Sequence, residues 1–185
     1  MWGPPVPGCG YCANPLPGFQ VWLVHLLASV KFVVPLMKSK WGWPVCETLH
    51  FLGLSMLVGT IGIFDLRVLG LAKRIPITPL HRLAPWGIAG YFLNVITGLM
   101  FLVTYPYQYV YNSAFLIKML LMGIAGANAL IFNLFIFRKV DLLGPGDDAP
   151  RVAKAMALAS LCLWIGIIYA GRLIAFYRPA FITFN

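Results

Sequence analysis

Charge is what this sequence has least of. Its 185 residues include 5 Asp and Glu, and charged residues of either sign make up 10% of the chain against 61% hydrophobic. Soluble domains run near a quarter charged, so an ordinary water-soluble fold is excluded and the lipid bilayer is the expected solvent. The point is sharpest between Arg82 and Lys118, where 35 residues pass without Asp, Glu, Lys, Arg or His. A membrane crossing needs about 20 apolar residues. This stretch therefore holds a span, a turn and the start of another span.

Cysteine is also sparse. Four cysteines, widely scattered, exclude a disulfide scaffold. Cys162 sits in an apolar run and reads as a small buried hydrophobe. Cys9 and Cys12 form C-G-Y-C, but in a Pro-rich segment without the strand and helix of a thioredoxin-type site, so a disulfide or an idle pair is expected. Nor does the chain show a nucleophile with its base, a Gly-rich phosphate loop or a metal-ligand cluster, and independent catalytic activity is not expected. Inverted repeats, which would point to a transporter, are missing. The N-terminus lacks the positive region of a cleavable signal peptide. The net charge of +9 does not signal nucleic acid, because Lys and Arg cluster at the ends of apolar runs rather than along one stripe.

What is present is an all-α integral membrane pattern. Residues 1–18 form a Pro/Gly-rich arm with five prolines and four glycines, which deny it helix. Residues 19–40 are apolar but broken by His25, Lys31 and Pro35, and predict a helix lying in the interface or a fifth span. Residues 45–176 predict a four-span bundle, with spans near Val45–Leu71, Leu83–Thr104, Ala114–Phe137 and Ala155–Phe176. Residues 177–185 are a tail. Lys73, Arg74 and Arg82 follow the first span, and Arg138, Lys139, Arg151 and Lys154 follow the third. The positive-inside rule then puts those loops in the cytoplasm of a bacterial inner membrane, with the Tyr105–Ser113 loop and the C-terminus outside. The interfacial reading of residues 19–40 leaves the N-terminus outside as well. Close helix packing is expected at Ser55, Gly59, Gly62, Gly87, Gly90, Gly123 with Ala127, and Ala155 with Ala159.

Ionisable groups inside spans are costly and mark partners, cavities or sites. At about 1.5 Å per residue, His50, Lys118 and Arg172 lie roughly 6–9 Å from the outer ends of their spans. Glu47 stands one turn from His50. Two readings of this outer layer stand side by side. It is an ion-pair and snorkelling network that neutralises Glu47. Alternatively, it is a pocket where His50 ligates a b-type haem or hydrogen-bonds a quinone while Lys118 and Arg172 hold propionates or carbonyls, with His25, or less well Met100, as second haem ligand. Cys46 and His50 are four apart, but two ligands do not make a metal site. At the other end Asp65 is expected to pair with Arg82 or Arg138, away from Arg67. Asn94, Thr97, Thr60, Asn128 and Asn133 read as interhelical hydrogen-bond glue.

The run W-P-V-C-E-T-L-H-F-L-G through F-D-L-R-V-L-G, from Trp43 to Gly70, resembles an uncharacterised bacterial family of small polytopic membrane proteins. Its pattern is Glu-Thr-x-His followed by Asp-Leu-Arg-x-Leu-Gly. P-W-G-I-A-G-Y, T-G-L-M-F, F-L-I-K and A-N-A-L-I-F, between Pro85 and Phe132, are similar to it too. The resemblance implies the four-span core and singles out Glu47, His50, Asp65, Arg67, Lys118 and Asn128. It implies no reaction. The expected function is an accessory or structural subunit of a larger respiratory or energy-converting membrane complex, whose partners are lipid and other membrane subunits. The alternative is a haem- or quinone-binding electron-transfer protein using His50. With an interfacial N-terminal helix, a membrane-impermeant maleimide should label Cys9 and Cys12 from the outer side of sealed, reduced vesicles; labelling from the inner side alone would establish the fifth span.

Overall fold

The computed structural model describes residues 18–176 apart from 31, 72, 77–79, 142 and 145. The expectations for the N-terminal arm, Cys9, Cys12 and the 177–185 tail lie outside the described residues.

Four helices are long and apolar enough to cross a membrane: α3 (Gly42–Leu69), α4 (Ala84–Thr104), α6 (Ser113–Ile131, prolonged by a π turn over Phe132–Ile136) and α8 (Arg151–Leu173). Between them lie α5 (Pro106–Val110) and α7 (Phe137–Asp141). No strand occurs among the described residues. In hydrocarbon every backbone N–H and C=O must be satisfied within its own segment, which leaves helices as the solution for these apolar runs. The chain is thus an all-α, multi-pass membrane bundle.

Residues 18–38 do not form one continuous helix. They give α1 (Gly18–Ala28, 11 residues) and the 6-residue α2 (Val33–Lys38). At 1.5 Å per residue α1 reaches about 16 Å, against a hydrocarbon thickness of about 30 Å. Ser29 ends it by turning its hydroxyl back onto the Leu26 carbonyl at 2.6 Å. α1 packs on α4 and α5, and α2 on α3 and α4.

The spans pack in the order α4, α3, α8, α6, the contact between α3 and α4 being the most extensive, and α4 and α6 form no comparable interface. The α3–α4 crossing is backbone on backbone. A Cβ built on Gly90 would stand 2.6 Å from the Gly53 carbonyl oxygen, and one on Gly53 would stand 2.9 Å from the Gly90 oxygen. Gly87 in turn receives the Thr60 side chain, 3.1 Å from its built Cβ. Small residues let membrane helices approach where no hydrophobic force separates helix from lipid. Gly87 and Gly90 are used as the sequence suggests, against Thr60 and Gly53 respectively, whereas Gly59, Gly62 and Gly123 face open space.

At the basic-loop end Val68, Val140, Ala149, Ala153 and Ala157 form a buried apolar cluster rimmed by Phe64 and Phe132. Gly70, at φ 97°, closes α3 there, and Leu71 donates back to the Leu66 carbonyl at 3.1 Å. A left-handed residue at this position favours glycine, which carries no Cβ penalty. Arg67, 1% exposed, ties the two basic loops together. Its Nε donates to Ile75 O at 2.6 Å, and its Nη2 to Gly144 O at 3.0 Å. Asp148 adds salt bridges to Lys73 at 3.0 Å and Lys154 at 2.7 Å. Those hydrogen bonds hold its carboxyl below the usual carboxylate range, so the clasp is fully formed above that range and is lost as pH falls through the lowered value.

The crossing makes a direct prediction. Gly90→Ala should destabilise the bundle by about 1–3 kcal/mol through overpacking. Gly59→Ala, in open space, should be neutral or stabilising by up to about 1 kcal/mol through helix propensity. Unfolding midpoints of the two purified variants compare them.

Candidate functional site in the half of the bundle away from the basic loops

The start of α3 follows Trp41, and Pro44 lies in its first turn, where its missing N–H costs nothing. This registers Cys46, Glu47 and His50 in the first three turns. From α4 come Thr97, Gly98, Met100 and Phe101, and from α6 comes Lys118.

His50 is half-buried, and its Nδ1 lies 2.8 Å from Thr97 Oγ1. The Thr97 hydroxyl has one proton, and that proton goes to the Leu93 carbonyl of its own helix at 2.6 Å. Thr97 Oγ1 therefore accepts from His50, which assigns the proton of the neutral ring to Nδ1 and leaves the lone pair on Nε2. The ring stands edge-on to Phe101 at 5.5 Å, and Phe101 meets Trp43 at 4.8 Å. Gly98 leaves room for the imidazole, whose Cε1 is 3.7 Å from a Cβ built there.

Lys118 reaches the same region. Its stem crosses Gly171 of α8, 3.8–3.9 Å from a Cβ built on that glycine, and its charge acts on the His50 ring. Among the described residues Lys118 has neither a salt bridge nor a hydrogen-bonded partner.

The other members of the expected outer layer do not join them. Glu47 is exposed, its charge is felt at Tyr109 of α5, and it makes no salt bridge with Lys118 among the described residues. Arg172 is exposed, without an ion pair among the described residues. His25 is exposed on α1, which packs on α4 and α5 and forms no comparable interface with α3, the helix that carries His50. Met100 instead lines a cavity of about 340 Å³ between α2, α3 and α4, with Leu36, Trp41, Cys46 and Thr97. Thr97 thus stands between this apolar cavity and His50. Cys46 is committed to Thr97 O at 3.8 Å, and no group of three or more His, Cys, Asp or Glu among the described residues is placed to hold a metal.

The structural polar residues are distributed as follows. Asn128 bonds across to Met156 O of α8 at 3.2 Å, as interhelical glue should. Asn94 bonds the Gly90 carbonyl of its own helix at 3.2 Å and lies against Gly53. Asp65 meets Ser160 of α8, whereas its expected partners Arg82 and Arg138 are exposed. Asn112, 1% exposed, carries a role that composition did not suggest. Its Oδ1 accepts from Ala114 N at 2.9 Å to cap α6, while its Nδ2 donates to Ile174 O at 3.1 Å and so fastens the ends of α6 and α8. The position of Asn just before an apolar helix was the available sign.

Burial, reinforced by the neighbouring Glu47 carboxylate, pushes the Tyr109 phenol up to about 12. A negative neighbour disfavours phenolate, so Glu47→Gln should lower that titration by a smaller amount than burial raises it. Ultraviolet titration of wild type, Tyr109→Phe and Glu47→Gln isolates the effect.

No curated protein and no solved structure matches the chain. A family model described as "Family of unknown function (DUF6644)" matches residues 39–177. That range takes in all four spans, His50, Lys118, Asp65 and Arg67, and the chain belongs to this family of unknown function.

Proposed function

We propose that this chain is an accessory subunit of a larger membrane complex, of a respiratory or other energy-converting kind, without independent catalytic activity. The observation that carries the reading is a set of unused glycines. Gly59 and Gly62 on α3, and Gly123 and Gly126 on α6, meet nothing within 4 Å of a built Cβ. Ser55 and Ala127 are exposed too, so Ser55–Gly59 and Gly123–Ala127 are open pairs of small residues four apart. Glycine in a lipid-facing helix costs propensity and returns no packing, whereas at a helix contact it permits close approach. Partner spans supply that contact. The exposed Arg74, Arg82, Arg138 and Arg151 at one end support a bacterial plasma membrane orientation with that end in the cytoplasm.

One observation favours a second reading. A ligating or accepting histidine needs its other ring N–H held by a neighbour, and Thr97 does this for His50. With Lys118 as a nearby donor, the pair suits a quinone carbonyl or hydroxyl. It suits a b-type haem less well, because His25 is not brought to His50.

Gly59→Leu and Gly123→Leu should release the chain from its complex on native gels of solubilised membranes while leaving its own unfolding midpoint unchanged. Migration of the wild-type chain alone and colourless would count against both readings. Under the second, quinone content of the purified protein should fall severalfold in His50→Ala, and a reduced b-type absorption band lost in that variant would establish haem instead.

A further inference from the structure

Asp65 is the one acidic side chain in the described residues that is removed from both water and cations. It is 6% exposed and lies on α3 against Ser160 of α8, its hydrogen-bond partner. Its second oxygen, Oδ2, is buried without a hydrogen-bond partner among the described residues. One turn along α3 toward the basic-loop end stands Val68, part of the buried apolar cluster with Val140, Ala149, Ala153 and Ala157.

Among the described side chains, the cations able to neutralise it are engaged elsewhere or exposed. Arg67, two residues along α3, is spent on the carbonyls of Ile75 and Gly144. On α8, Lys154 is bound to Asp148, as is Lys73 from the loop after α3. Arg82 before α4, Arg138 on α7 and Arg151 at the start of α8 are exposed, and among the described residues Asp65 makes no salt bridge. An isolated ionised carboxylate in such a place carries a large desolvation penalty, and such groups neutralise instead. A metal does not serve, since no third acidic, histidine or cysteine ligand stands nearby among the described residues.

We propose that Asp65 is a proton-binding site of the bundle, held as the neutral acid between α3 and α8, with one carboxyl oxygen hydrogen-bonded to Ser160 and the other a carbonyl without a partner. A neutral carbonyl left unpaired costs far less than a buried charge. Ionisation removes that balance, and it opens the α3–α8 contact so that water can reach the carboxylate. The site is independent of the subunit and quinone readings.

The protonated acid is the form that reacts with a hydrophobic carbodiimide: its proton passes to a carbodiimide nitrogen, its oxygen bonds to the central carbon, and the adduct retains every atom of both. Full-length protein in lipid nanodiscs, treated with dicyclohexylcarbodiimide near pH 7 and digested for mass spectrometry, should carry an adduct at Asp65. That labelling should decline as pH is raised from about 6 to 9. Asp65→Asn, which resembles the neutral acid in size, should lose the adduct and keep the wild-type unfolding midpoint. Infrared spectra of wild type with isotope-labelled aspartate should show a shifted carboxylic acid C=O stretch, a readout that does not need the variant to fold. Absence of both adduct and acid stretch at about pH 6 would overturn the proposal. So would protection of Asp65 by sodium at fixed pH, which would make the site a cation site.

Discussion

Gly53 and Gly90 bring the backbones of α3 and α4 into contact, each glycine placed where a side chain would collide with the other's carbonyl. The close crossing sets the register of α4 against α3, and with it the reach of every side chain between them. His50 meets Thr97, Cys46 meets the Thr97 carbonyl and Trp43 meets Phe101 because the helices are this near. In hydrocarbon the alternative to such contacts is lipid, which is as apolar as the side chains themselves. Geometry and a few hydrogen bonds therefore select the arrangement, and hydrophobicity does not.

The two ends of the bundle handle polarity differently. At the basic-loop end the charges are consumed internally: Arg67 by loop carbonyls, Asp148 by two lysines. Asp65 stands apart, one turn from an apolar cluster, and this isolation is what makes a proton its natural partner. In the half away from the basic loops, polarity is left open. Among the described residues His50 Nε2 has no hydrogen-bond partner and Lys118 has no counter-charge. Glu47 is exposed and closes neither group. Thr97 joins His50 to the apolar cavity between α2, α3 and α4.

The apolar faces add a separate constraint. α6 is the least covered span, with 6% of its apolar window buried, against 22–28% for the others. Gly123 and Gly126 of α6, like Gly59 and Gly62 of α3, have nothing within 4 Å of a built Cβ. A bundle joined as α4, α3, α8, α6 without an α4–α6 interface leaves these surfaces uncovered among the described residues.

The sequence by itself determined the spans. Long runs without charge, Trp41 and Trp43 before Pro44, and the basic residues after the first and third runs suffice, because a bilayer imposes length and charge placement on each helix separately. It also isolated His50, Lys118, Asp65 and Arg67, since ionisable groups are few where lipid makes them costly. Which of these meet was decided only by tertiary structure. Glu47 is one turn from His50 in any helix, yet it stays exposed while His50 is half-buried against Thr97. Asp65 finds a serine on α8 rather than an arginine, and Arg67 is spent on backbone carbonyls of loops up to 80 residues away. Gly53 could be recognised as the counterpart of Gly90 only once the crossing point of two helices was known. Helix rotation and crossing are relations between segments, and no local pattern in a uniformly apolar sequence encodes them.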